Sequence, residues 1–158
     1  MRKILLYIFA LFFYGCYLIP CDFEDGLLEI ENTKNESFFV GKYITERSFH
    51  NNFDNTKTEI ILNKNGDLEI NKISSKTFKP YTGKEKIISV GGKWRLVYVE
   101  SRDSYRLSLS LKFEKKDSFQ NQITSGKFHL KDGEPVFIIE IGDPDECRAV
   151  RFIKQNEN

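Results

Sequence analysis

A chain of 158 residues has room for one domain and not for two ordinary ones. Its 24 basic and 23 acidic side chains leave a formal net charge of +1, and removing residues 1–15, with Arg2 and Lys3, turns that into −1. So even a balance gives no field for nucleic acid or anionic lipid, which excludes both as natural partners of the folded part. Fourteen Phe, seven Tyr and one Trp stand among many Ile, Val and Leu, a composition that builds a β-type core and excludes a disordered chain.

The N-terminus reads as an export address. Met1-Arg2-Lys3 is a short positive segment, Ile4 to Phe13 is an unbroken apolar run, and Tyr14-Gly15-Cys16 follows directly. That run is too short to span a bilayer and has the length of a secretory signal. The charge-free stretch continues to Cys21, so an uncleaved anchor helix is the other reading. Both keep the positive end inside and place Asp22, Glu24 and Asp25 outside.

Phe13-Tyr14-Gly15-Cys16 resembles the lipobox of bacterial lipoproteins, in which a cysteine follows a small residue at the end of the apolar run. The resemblance implies a signal peptide over residues 1–15, with Cys16 as the lipidated first residue of the mature chain. Residues 16–37 would then tether a domain over 38–158 to the membrane. A diacylglycerol thioether plus an amide-linked acyl chain supplies the several buried chains that stable anchoring needs. Ordinary signal-peptidase cleavage nearby, with Cys16 removed or left as a thiol, is the alternative. Tyr17 is not the aspartate associated with inner-membrane retention, so the expected address in a Gram-negative host is the outer membrane, facing the periplasm.

Three cysteines in an exported chain leave one unpaired unless one has another job. If Cys16 carries lipid, Cys21 and Cys147 remain as an even pair in an oxidising compartment, and a disulfide between them would tie the tether to the last hairpin. Two separate thiols are the other possibility.

After an acidic, polar stretch at 22–37, with Leu27, Leu28 and Ile30 as an apolar patch that could plug a barrel end, the pattern is strand, turn, strand. Residues 39–47 form the first expected strand. Residues 58–63 and 67–73 flank Lys64-Asn65-Gly66, a strong hairpin signal. Residues 74–90 read as a long irregular loop. Strands at 93–100 and 105–113 follow, and the second alternates cleanly, with Tyr105, Leu107, Leu109, Leu111 and Phe113 on one face. Residues 127–131 and 135–141 flank Asp132-Gly133, and 149–153 closes the chain. The fold class is all-β: an antiparallel meander of about eight strands, closed as an up-and-down barrel, with a two-sheet sandwich as the alternative.

Three strands open with the same local word: Gly41-Lys42-Tyr43, Gly92-Lys93-Trp94 and Gly126-Lys127-Phe128. Glycine at a strand start permits a bulge or bend, and the aromatic two residues on shares its face and can cover it. In that reading the aromatics plug the core and the lysines face solvent. The functional reading makes Tyr43, Trp94 and Phe128, with Tyr98, the lining of a ligand site.

Glycine–x–aromatic opening a strand, then a strand–Asn-Gly–strand hairpin, then Gly-Gly-Lys-Trp, is similar to the small lipocalin-like lipoprotein domains of bacteria. The similarity covers roughly Gly41 to Phe152. It implies an apolar ligand in the barrel mouth.

Chemistry-bearing residues are sparse. His50 lies in a polar loop and His129 on the lysine-bearing, outward face of a strand, where both read as surface histidines without a ligand cluster. No nucleophile motif or phosphate-cradling glycine loop accompanies them. Asp143-Pro144-Asp145-Glu146 is a dense carboxylate group, read as a solvated turn rather than a Ca²⁺ site. The expectation is a non-enzymatic, membrane-anchored binding module for a small apolar ligand or a protein, needing no cofactor or metal and binding no nucleic acid. The alternative is an envelope immunity or inhibitor lipoprotein that neutralises a toxin or hydrolase.

Overall fold

A computed structural model describes residues 21–30, 35–48, 57–78, 81, 83–99, 104–112 and 122–155. Its strands are β1 Leu28–Glu29, β2 Gly41–Ser48, β3 Glu59–Leu62, β4 Asp67–Ser74, β5 Ile87–Val99, β6 Ser104–Lys112, β7 Gln122–Lys131, β8 Glu134–Glu140 and β9 Ala149–Lys154. From β2 to β9 each strand pairs antiparallel with the next in sequence, and β9 returns to pair with β2. The sheet therefore closes as an eight-stranded up-and-down barrel with β1 outside it, as the meander of short hairpins predicts.

Local chemistry accounts for the turns and the faces. Asp132 and Gly133 both take positive φ, 53° and 84°, which the two-residue turn between right-twisted strands requires. On β6, Leu109 and Leu111 are wholly buried while Ser110 and Lys112 are exposed, the expected alternation.

Residues 74–90 do not form one long loop. β4 runs to Ser74, a 3-10 turn covers Ser75–Thr77, and β5 starts at Ile87. The β4–β5 register shifts between Ile70 and Ile73, and pairing then resumes through Ile73↔Ile88 and Ser74↔Ile87. Lys72 lies within that shift at φ 58°, and its carbonyl accepts from the Thr58 hydroxyl at 2.8 Å. A bulge of this kind breaks the period of two on which strand recognition depends.

Because strand directions alternate, the connections fall at two ends. The turns at 63–66 and 132–133 and the strand ends Val99 and Ser104 share one end with α1, the short helix Glu36–Phe39 that precedes β2. The strand ends Ser48, Lys112 and Gln122 share the other with the described parts of the longer connections, 75–78, 83–86 and 141–148. Asn35 caps α1 by accepting from the Ser37 amide at 3.2 Å.

α1 puts Phe39 into the core, where its ring lies 4.6 Å from Phe128. Phe128 in turn lies 5.2 Å from Phe137, and Phe137 lies 6.0 Å from Phe152. These ring contacts, with Ile60, Leu62, Leu68, Ile70, Leu109 and Leu111 around them, form the core inside the barrel.

A second apolar cluster lies on the outside of the wall. Val136 and Ile138 of β8 alternate with the inward Phe137 and Ile139, so they point outward. Ala149 of β9 joins them, and Phe23 from the N-terminal segment covers the group. On the edge of β7 opposite β8, pairing with β6 ends at Arg106↔Lys127, and β1 takes up the continuation at Glu29↔His129 and Leu28↔Leu130. A stretch of edge that β6 leaves bare is thereby paired.

Candidate binding surfaces

Three of the four expected lining side chains meet in the interior core. Tyr43 is wholly buried, and its hydroxyl donates to the Phe39 carbonyl at 2.7 Å. Burial, and secondarily the charge of Glu134, push its ionisation far above the ordinary tyrosine range, so it stays a neutral donor. Trp94 is 6% exposed, and its indole N–H donates to the Asn63 carbonyl at 2.9 Å. Phe128 sits between Phe39, Tyr43 and Phe137. The Tyr98 backbone pairs with Tyr105 on β6, and its side chain lies outside the described residues.

The glycines of the repeated word have a job other than making room for their own aromatic. At Gly126 the space a side chain would take is held by Phe137 of β8, and at Gly92 it is held by the Ser110 backbone of β6. The word therefore marks close approach of a neighbouring strand. Of its three lysines, Lys93 is exposed and Lys42 and Lys127 are half-buried.

Cys21 and Cys147 are joined by a disulfide across 126 residues of sequence, with Cα atoms 5.1 Å apart, which is the pairing that the odd cysteine count favoured. Cys16 lies outside the described residues, as do all of 1–20 and His50. The bond fastens residues 21–30 to the barrel as a strap over β7, β8 and β9. Beneath it Lys127 binds Glu24 at 3.0 Å and Glu140 at 2.8 Å. Arg151 donates to the Asp25 carbonyl at 3.3 Å and binds Glu46 at 2.6 Å, and Lys131 also binds Glu46. Burial alone would raise the Glu46 pKa, but the Lys131 hydrogen bond and the Arg151 and Lys131 charges hold it below the usual carboxylate range.

Partly exposed ion pairs such as Lys127–Glu24 contribute about 1 kcal/mol or less. Burying the Phe23 ring contributes roughly 2 kcal/mol and, with the disulfide, carries most of the strap's attachment. His129 departs from expectation here. It stands on the outward face of β7, yet it is only 5% exposed because the strap lies over it. Its Nε2 sits 3.6 Å from Glu24 Oε1, beyond hydrogen-bonding reach, and burial holds its pKa below the ordinary histidine value.

The carboxylates of 143–146 form a 3-10 turn, Pro144–Glu146, rather than a convergent set. Asp143 Oδ1 accepts from the Asp145 amide at 3.1 Å, while Glu146 takes the Tyr81 hydroxyl at 2.5 Å and Arg148 at 2.6 Å. Among the described residues, no three His, Cys, Asp or Glu side chains are placed to hold a metal ion, and no helix is long and apolar enough to cross a membrane.

The disulfide tie to the last hairpin is as expected, whereas the packing of Phe23 over the wall goes beyond it, although the sequence carries a signal for it. Val136-Phe137-Ile138-Ile139 is apolar without alternation, which is the mark of a strand covered on both faces. With closure, the α1 helix at one end and the buried core described, the class is a closed eight-stranded up-and-down β-barrel, the architecture a lipocalin-like domain would have. Comparison with models of protein families, with curated proteins and with solved structures finds no match to this chain.

Proposed function

We propose that this chain is an exported lipoprotein, anchored through Cys16, whose barrel is a non-enzymatic binding domain that engages a protein partner with its outer surface. The observation that carries the reading is how the candidate lining side chains are used. Tyr43, Trp94 and Phe128 are buried among one another's neighbours, and the polar atoms of Tyr43 and Trp94 are already spent on the Phe39 and Asn63 carbonyls. A site for an apolar guest needs free polar groups to orient it, and these two side chains offer none. An envelope inhibitor or immunity protein fits the same reading, since it needs an anchor and a rigid wall.

Two measurements test it. The mass of the mature chain taken from its host's membranes should correspond to a start at acylated Cys16; an unmodified Cys16 removes the anchor from the proposal. Solvent extraction of the natively purified protein should yield no stoichiometric apolar molecule. Recovery of one would replace surface recognition with ligand carriage.

A further inference from the structure

β5 and β6 carry Lys93, Arg95, Arg106 and Lys112, and over residues 87–99 and 104–112 they carry no aspartate or glutamate. In a chain with 24 basic and 23 acidic groups, this is a local separation of charge that the net value conceals. All four cations alternate with the buried Val90, Trp94, Leu109 and Leu111, so they stand on the outer face.

Register makes them neighbours. Arg95 is opposite Ser108 and Arg106 opposite Val97, which sets the two arginines on a cross-strand diagonal of roughly 7–8 Å. Lys93, opposite Ser110, and Lys112, opposite Gly91, share a second diagonal. Like charges so placed repel, and folding gains nothing from them. β4 relieves one, because Asp67 binds Lys93 at 2.5 Å.

Arg95 and Arg106 bind no carboxylate among the described residues, whereas Arg148 and Arg151 each hold one at 2.6 Å. The surface around them is low, with Ser108 paired to Ser125 and the half-exposed Val97 alongside.

We infer that the outer face of β5 and β6 is a docking surface for an acidic protein, with Arg95 and Arg106 as the two forks that receive its carboxylates. The guanidinium plane matches a carboxylate with paired donors, which a lysine cannot do. A bilayer would gain only about 1 kcal/mol per basic group and would ask for apolar anchors beside them. The inference deepens the surface-recognition reading, and the two fail separately. A recovered apolar ligand would sink that reading without touching carboxylate binding, and the converse also holds.

Full-length protein displayed on neutral phosphatidylcholine vesicles is mixed with poly-L-glutamate beads and, in a second arm, with phosphatidylglycerol vesicles. The expected result is salt-sensitive retention on poly-L-glutamate that falls about tenfold in Arg95→Gln/Arg106→Gln. Lys64→Gln/Lys84→Gln removes the same charge elsewhere and should cost less than about twofold. Arg95→Lys/Arg106→Lys preserves charge and fold and should still lose several-fold, because the fork is gone. Three results overturn the inference: no retention by the parent chain, equal losses in the two glutamine pairs, or binding confined to phosphatidylglycerol.

Discussion

Gly126 is glycine because of Phe137. A methyl group at position 126 would stand 2.2 Å from Phe137 Cε2 and 2.5 Å from the Ile138 carbonyl oxygen, and neither a packed ring nor a ladder backbone can retreat that far. Gly126→Ala should therefore destabilise the barrel by about 3 kcal/mol, at the upper end of overpacking costs. Gly41→Ala meets only the flexible end of Lys154, so its cost should come mainly from the backbone, at φ 141°. Urea midpoints of the two variants provide the check, and a Gly126→Ala chain as stable as the parent would contradict the packing described.

Cys147→Ser should lower stability by about 5 kcal/mol, the chain-entropy expectation for a loop of this length. It should also loosen the strap selectively. Amide exchange at residues 21–30 should rise under native conditions while the interior of β3 and β4 stays protected. Uniform loosening of the whole barrel would show that the strap is not a separable layer.

The strap should also weaken in acid through His129. Burial depresses the pKa of this imidazole in the folded state, with Glu24, Glu29 and Glu140 pulling it up and Lys127 pushing it down. The neutral form is the one accommodated, so its contribution is complete above the ordinary value of about 6.5 and is lost as pH falls below that toward the depressed folded value. Protection factors across the strap, which allow for the intrinsic slowing of exchange in acid, should fall as pH drops below about 6.5, and His129→Gln should flatten the slope. An unchanged slope in the variant assigns the acid response to another group.

Trp94 is the chain's one tryptophan, and its burial makes it a reporter of the interior. Its emission should be blue-shifted and resist iodide quenching until the barrel unfolds. Tyr43→Phe removes the donor to the Phe39 carbonyl and should cost roughly 1–3 kcal/mol, since it strands a buried acceptor. A neutral or stabilising outcome would mean that water reaches that carbonyl, and hence that the plugged end is wetter than its packing implies.

Much of the barrel was readable in advance because hairpin chemistry is local. Asn65-Gly66 and Asp132-Gly133 announce their turns, and the alternation around Leu109 and Leu111 announces its strand. The beginning of β5 was hidden because the Lys72 bulge displaced its partner strand out of period. The burial of His129 was hidden for a different reason. Alternation tells which wall face a residue takes, but not whether another segment later crosses that face. Only the non-alternating apolar run at 136–139 carried that information. Arg95 and Arg106 were visible as letters, but their adjacency required the β5–β6 register.

The Cys21–Cys147 bond also sets which way the barrel points. Cys147 lies in the 141–148 connection, at the end of the barrel where the longer connections gather. On the proposed anchoring, the step from Cys16 to Cys21 can extend no more than roughly 18 Å. That leash would hold the long-connection end against the lipid and turn α1 and the tight turns toward the aqueous compartment. Arg95 and Arg106, close to the Val99 and Ser104 strand ends, would then stand on the part of the wall that faces the aqueous compartment, away from the lipid.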